Sequence, residues 1–170
     1  MSNLKQEEQL IMENLSFNAK ATPMETPQEF LDATIARIEA ILAARYPDYL
    51  NFGGGSFAIT RGSSQIVVVA RPYTDTDTAI ECIANVVTGG NITPEVMKYL
   101  LRKNAELHFG AFGMLFDGTI IFNHTIAGAH LDDNELLTSL DSVATIADHY
   151  DDEIAAMTGG HRAIEASDLE

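Results

Sequence analysis

LHFGAFGMLFDGTIIFNH, residues Leu107–His124, holds three glycines, four phenylalanines and a histidine near each end. It could be a loop that cradles a phosphate, a metal-binding hairpin, or a pair of strands. Asp117-Gly118 is a dipeptide favoured in the two-residue type I′ turn that joins antiparallel strands. Such a turn sets Phe116 opposite Thr119, Leu115 opposite Ile120 and Gly113 opposite Phe122. Because successive residues alternate sides, one face then holds Phe109, Ala111, Gly113 and Leu115 with Ile120, Phe122, His124 and Ile126. That face is largely apolar and should lie under helices, with Gly113 making room for the Phe122 ring. The other face mixes Gly110, Phe112, Met114 and Phe116 with Thr119, Ile121, Asn123 and Thr125. Phe and Met among small polar groups suit a protein or peptide contact, so Phe112, Met114, Phe116 and Ile121 are the candidate contact residues. Coverage of the same face by a helix or by the N-terminal arm is the alternative.

Upstream, Thr26-Pro27-Gln28-Glu29 reads as a capping box with proline at the first helical position. Leu31, Ile35, Ile38 and Leu42 follow at helical spacing until Tyr46-Pro47 stops the run. Three strand-like runs come next: Ser56–Thr60, Gln65–Arg71 and Thr78–Val87. The unbroken apolar run Ile66–Ala70 marks a central strand. Thr93-Pro94 opens a second helix, with Val96, Met97, Leu100 and Leu101 as its apolar face. Beyond the hairpin, Asp132 and Glu135 form a second capping box. Leu136, Leu140, Val143, Ala147, Tyr150, Ile154 and Met157 then alternate by four and three. Such a seam fits a helix lying on its own sheet, or a helix–helix contact in a dimer. The order α-β-β-β-α-β-β-α gives an α+β fold, an antiparallel sheet with helices. Residues 1–24 form an arm or short helix, 25–160 one domain, and 161–170 an acidic tail.

The chain has 170 residues, 46% of them hydrophobic, and a net charge of −15. From Asp132 onward 11 acidic residues stand against Arg162 alone, which leaves −10 in that stretch. A surface so negative repels phosphate backbones, which argues against nucleic-acid binding, and it favours solubility or a basic partner. The longest apolar run is too short to cross a bilayer. Met1–Leu15 carries acids and lacks the apolar stretch of a secretory leader, so a cytoplasmic protein is expected.

Enzymatic signals fail one by one. Gly53-Gly54-Gly55-Ser56-Phe57-Ala58 fits the letters of a dinucleotide fingerprint, but the glycines follow a helix and open a strand, the reverse of what pyrophosphate binding needs. None of the five histidines forms an H-x-x-x-H pair. In Asp148-His149-Tyr150-Asp151-Asp152 the imidazole points about 100° from the neighbouring carboxylate on a helix, so a solvated acidic face is the better reading. Cys82 is the only cysteine and sits mid-strand, where thiols behave as small hydrophobes.

The run from "LLRKNA" (100–105) through "FGAFG" (109–113) to "TIADHYDD" (145–152) resembles the YbjN-type proteins, of cyanobacterial type, which are grouped with the type III secretion chaperones. The resemblance spans roughly residues 25–160, and the element order agrees with that fold. It implies a non-enzymatic, often dimeric domain that binds extended peptide segments of client proteins. It implies no cofactor and transfers no catalytic residue. The expected function is a chaperone-like or adaptor protein, a homodimer with a client peptide on exposed sheet surface. A sensor holding a small ligand between sheet and helices is the alternative.

Overall fold

The computed structural model describes residues 25–62 and 64–166. The arm expected over residues 1–24 lies outside the described residues. Helix α1 (Gln28–Arg45) is followed by β1 (Leu50–Gly53), β2 (Ser56–Arg61), β3 (Ser64–Pro72) and β4 (Thr78–Thr88). Then come α2 (Pro94–Glu106), β5 (Ala111–Met114), β6 (Ile120–Ala127), α3 (Asp133–Thr158), β7 (His161–Arg162) and α4 (Ala163–Ala166). All pairings are antiparallel, in the order β1-β2-β3-β4-β6-β5, with β7 beside β4. The α+β architecture is as the sequence indicates, with β1 and β7 added to the expected strands.

Helices α1 and α3 cover one face of the sheet. Ile66, Val68 and Ala70 of β3, and Ile80, Cys82 and Ala84 of β4, point to that side and are buried with Ile38, Leu42, Leu136, Leu140 and Val143. The four-and-three seam of α3 is thereby spent inside the monomer: Leu136, Leu140, Val143, Ala147 and Ile154 are buried, and only Met157 at its end is exposed. The α3 capping box forms as read, with Asp132 accepting from Glu135 N–H and Glu135 from Asp132 N–H. At α1 the expected box does not form, and Pro27 is the cap residue without a side-chain bond. Thr26 instead donates to the Thr74 carbonyl at 2.6 Å and accepts from Tyr73 N–H. The loop before β4 outcompetes the helix start for its hydroxyl.

The hairpin register also differs. Phe112 pairs with Phe122 and Gly113 with Ile121, one residue away from the expected pairing. A type I′ turn needs positive φ at both central residues, yet Asp117 does not have it, whereas Gly118 has φ 85°. Leu115 to Gly118 is a turn closed by Gly118 N–H to the Leu115 carbonyl, and Leu115 N–H reaches Thr119. Gly118 therefore occupies the left-handed position after a tight turn, which suits glycine. A one-residue slip moves every side chain to the other face. Gly110, rather than Gly113, makes room for Phe122. A Cβ on Gly110 would stand 2.7 Å from that ring and 2.5 Å from the Asn123 carbonyl, at φ 81°.

Candidate binding surface

The register separates the four candidate contact residues. Phe112 is 7% exposed on the helix-covered side, where its ring meets Phe122 and Tyr150 edge-on at 5.0 and 5.5 Å. Ile121 is 9% exposed and belongs to the opposite face, beside Gly113 and Asn85. Met114 is 55% exposed and Phe116 fully so, at the end of the hairpin with Leu115. The expectation of a single face for all four is corrected: two are exposed at the hairpin end and two are buried on opposite sides of the sheet.

The outer edge of β5 carries a feature that sequence reading missed. The Asn104 amide accepts from Phe112 N–H at 2.7 Å and donates to the Phe112 carbonyl at 3.1 Å. One side chain from α2 thus takes the place of a neighbouring strand. Unsatisfied strand edges invite pairing with other chains, and this pair of bonds blunts the edge at its middle. Beside it, Lys103 Nζ lies 5.6 and 5.7 Å from the Tyr99 and Tyr150 ring centres. The Tyr99 hydroxyl is buried and finds no hydrogen-bond partner among the described residues. Burial, and after it the nearby Glu153, pushes its pKa upward. Met97 and Leu101 stay exposed on the outer side of α2.

Among the described residues no long helix covers the sheet face away from α1 and α3, and the short α4 meets it at one end. Gln65, Val67 and Val69 of β3, Glu81, Ile83 and Asn85 of β4, and Ile121, Asn123 and Thr125 of β6 alternate onto it. Its middle is apolar, through Val67, Val69, Ile83 and Ile121, and an Arg71–Glu81 ion pair of 2.6 Å lies toward one end. At the other end a cavity of about 300 Å³ is bounded by Thr60, Val67, Ile83 and Asn85 beneath Ala163 and Ile164.

The titratable groups offer little chemistry. Cys82 is buried in β4, and desolvation raises its thiol pKa to about 12, so it is not a nucleophile near neutrality. His124 lies under α3, where burial lowers its pKa. Ser139 donates to the Glu135 carbonyl at 2.8 Å, so the 3.1 Å contact with His124 Nδ1 is donated by the histidine. That histidine ties β6 to α3. Asp77 is pushed up by burial, but N–H bonds from Ala129, Thr78 and Gly128 outweigh this and hold it below the ordinary carboxylate range. Among the described residues no three His, Cys, Asp or Glu side chains are grouped to hold a metal. No helix among them is long and apolar enough to cross a membrane.

Two findings from comparison with known proteins complete the picture. The family model described as "T3SS (YopN, CesT) and YbjN peptide-binding chaperone 1" matches residues 31–166. No curated protein matches the chain.

Proposed function

The chain belongs to this family of T3SS and YbjN peptide-binding chaperones, and from that premise we propose that it is a cytoplasmic, non-enzymatic homodimer whose open sheet face holds extended client segments. Family membership supports the peptide-binding, chaperone-like role itself. One observation carries the placement: α1 and α3 cover one side of the sheet, while on the other, among the described residues, Val67, Val69 and Ile83 lie under no long helix and only the short α4 reaches Val67 and Ile83. A pleated apolar strip with polar margins can take alternate side chains of an extended segment. Ile121, 9% exposed, underlies the β6 end of that strip. The exposed Met114 and Phe116 at the hairpin end are the contact to a second copy, and Phe112 anchors that hairpin on Phe122 and Tyr150. The tight packing on the helix side, with Ile38, Leu42, Val68, Leu136 and Val143 almost fully buried, weighs against a small ligand held between sheet and helices.

The test is selection from a random library of short peptides on the immobilised full chain, beside Val67→Glu. Val67 is 36% exposed, so the new carboxylate stays in water and the fold is expected to persist. The wild type should enrich segments with aliphatic residues, and the variant should not. Equal enrichment by both proteins would remove the open face from the reading.

A further inference from the structure

After α3 the chain makes a built turn. Gly159 caps the helix in the left-handed region, and Asn91 N–H bonds the Thr158 carbonyl at 2.9 Å. At Gly160 a Cβ would stand 2.7 Å from the Thr88 carbonyl and 2.9 Å from Gly90 Cα. Only glycine lets the backbones approach so closely. Beyond Gly160 the chain returns to the sheet. β7 adds two residue pairs to β4, Arg162 with Val87 and His161 with Thr88. Val87 already pairs with Ile120 of β6 on its other side, so β7 lies on the side of β3. The β3 pairing stops at Ile66–Ala84, and the C-terminal segment therefore fills a slot on β4 that β3 leaves vacant. In line with it stands the start of β3, so the chain leaves the sheet, and α4 sets Ala163 and Ile164 over the cavity against Val67 and Ile83. Arg162 pairs with Asp152 at 3.1 Å and with Glu165 at 2.6 Å. Their carboxylates are 82% and 47% exposed, and ion pairs open to water contribute little.

Resting on the peptide-binding reading above, we propose that residues 161–166 occupy the client groove in cis as a stand-in for the client. The client takes the same place, with a basic residue beside β4 and, two positions later, an aliphatic side chain over the cavity. Arg162-Ala163-Ile164 supplies that pattern here. The vacant stretch of β4 offers its backbone, Asp152 offers a carboxylate to the basic residue, and Val67 and Ile83 form the floor for the aliphatic side chain. The acidic α3 surface, with Asp151 on the cavity wall, favours a basic segment over an acidic one. A groove filled by a tethered segment binds an outside ligand with an affinity reduced by the open fraction, so the segment sets a threshold for clients.

The probe is a labelled peptide with the sequence of residues 161–166, titrated into the full chain and into the full-length double variant Arg162→Ala, Ile164→Asp. The variant should bind at least about tenfold more tightly, because its own segment no longer competes. A peptide carrying Asp in place of the isoleucine should not bind it. Equal affinity of wild type and variant would overturn the proposal. A second measurement uses the wild type alone. Saturation with a library-selected peptide should speed hydrogen exchange across the amides of residues 161–166 by about tenfold or more, because the segment must leave β4. Unchanged exchange across residues 161–166 under saturating peptide would also overturn the proposal, while leaving peptide binding intact. Failure of every peptide to bind either protein would defeat the peptide-binding reading, and this inference with it.

Discussion

Replacing Asn104 by alanine removes both bonds that close the outer edge of β5. The wild-type side chain accepts from Phe112 N–H at 2.7 Å and donates to the Phe112 carbonyl at 3.1 Å. Each such bond contributes about 1 kcal/mol net, and more where the partner cannot reach water. Phe112 as a whole is 7% exposed, but an edge backbone can be partly rehydrated, so a loss of about 2 kcal/mol is expected. With a urea slope of roughly 2 kcal/mol/M, the midpoint should fall by about 1 M. The Phe112 amide should exchange roughly thirtyfold faster, the same free energy read locally. Asn104→Asp keeps the acceptor but sets a second oxygen against the Phe112 carbonyl, so it should be no better than alanine. A midpoint shift below about 0.2 M, with Phe112 exchange unchanged, would refute the edge-closing role.

Gly110→Ala should cost about 2 kcal/mol or more, because the methyl meets the Asn123 carbonyl and the Phe122 ring at positive φ. Gly113→Ala, whose Cβ would stand 3.4 Å from the Ile121 side chain, should shift stability by well under half of that; paired urea melts separate the two. The folded pKa of Asp77 lies below its ordinary value of 3.8. Its stabilisation is therefore complete above that value and is lost as pH falls through the folded pKa. Asp77→Ala should destabilise by about 2 kcal/mol at neutral pH and flatten the acid limb of a stability-against-pH curve. Met114→Ser with Phe116→Ser removes apolar surface that is exposed in the monomer. It should convert a sedimenting dimer to the 18.5 kDa species with little change in thermal stability, and a wild type that sediments only at that mass would defeat the dimer assignment.

Much of the fold was legible in local chemistry. Asp132 and Glu135 marked the start of α3, Thr93 and Pro94 that of α2, and the β-branched run Ile66–Val69 marked a central strand. These signals have no strong competitor. Thr26 had one: the loop at Tyr73 and Thr74 took its hydroxyl. Asp117-Gly118 suits two turns whose registers differ by one residue. Packing of Phe112 on Phe122 and Tyr150 selects between them, and the dipeptide cannot express that packing. Leu50 to Phe52 alternate ahead of a glycine turn, which is a hairpin signal for β1. Asn104 and β7 left no local trace, since an asparagine late in a helix and a His-Arg pair acquire meaning only from the strands they meet. The apolar Ala163-Ile164 within an acidic tail was the one sequence hint that the segment folds back.

The most direct test of the central claim is the dissociation constant of the most enriched library peptide, measured by calorimetry on the full chain and on Val67→Glu. The open sheet face as client groove predicts binding by the wild type in the micromolar range, about −8 kcal/mol, and a loss of at least about tenfold in the variant. Equal constants for the two proteins, or no binding by the wild type at millimolar peptide, would contradict it.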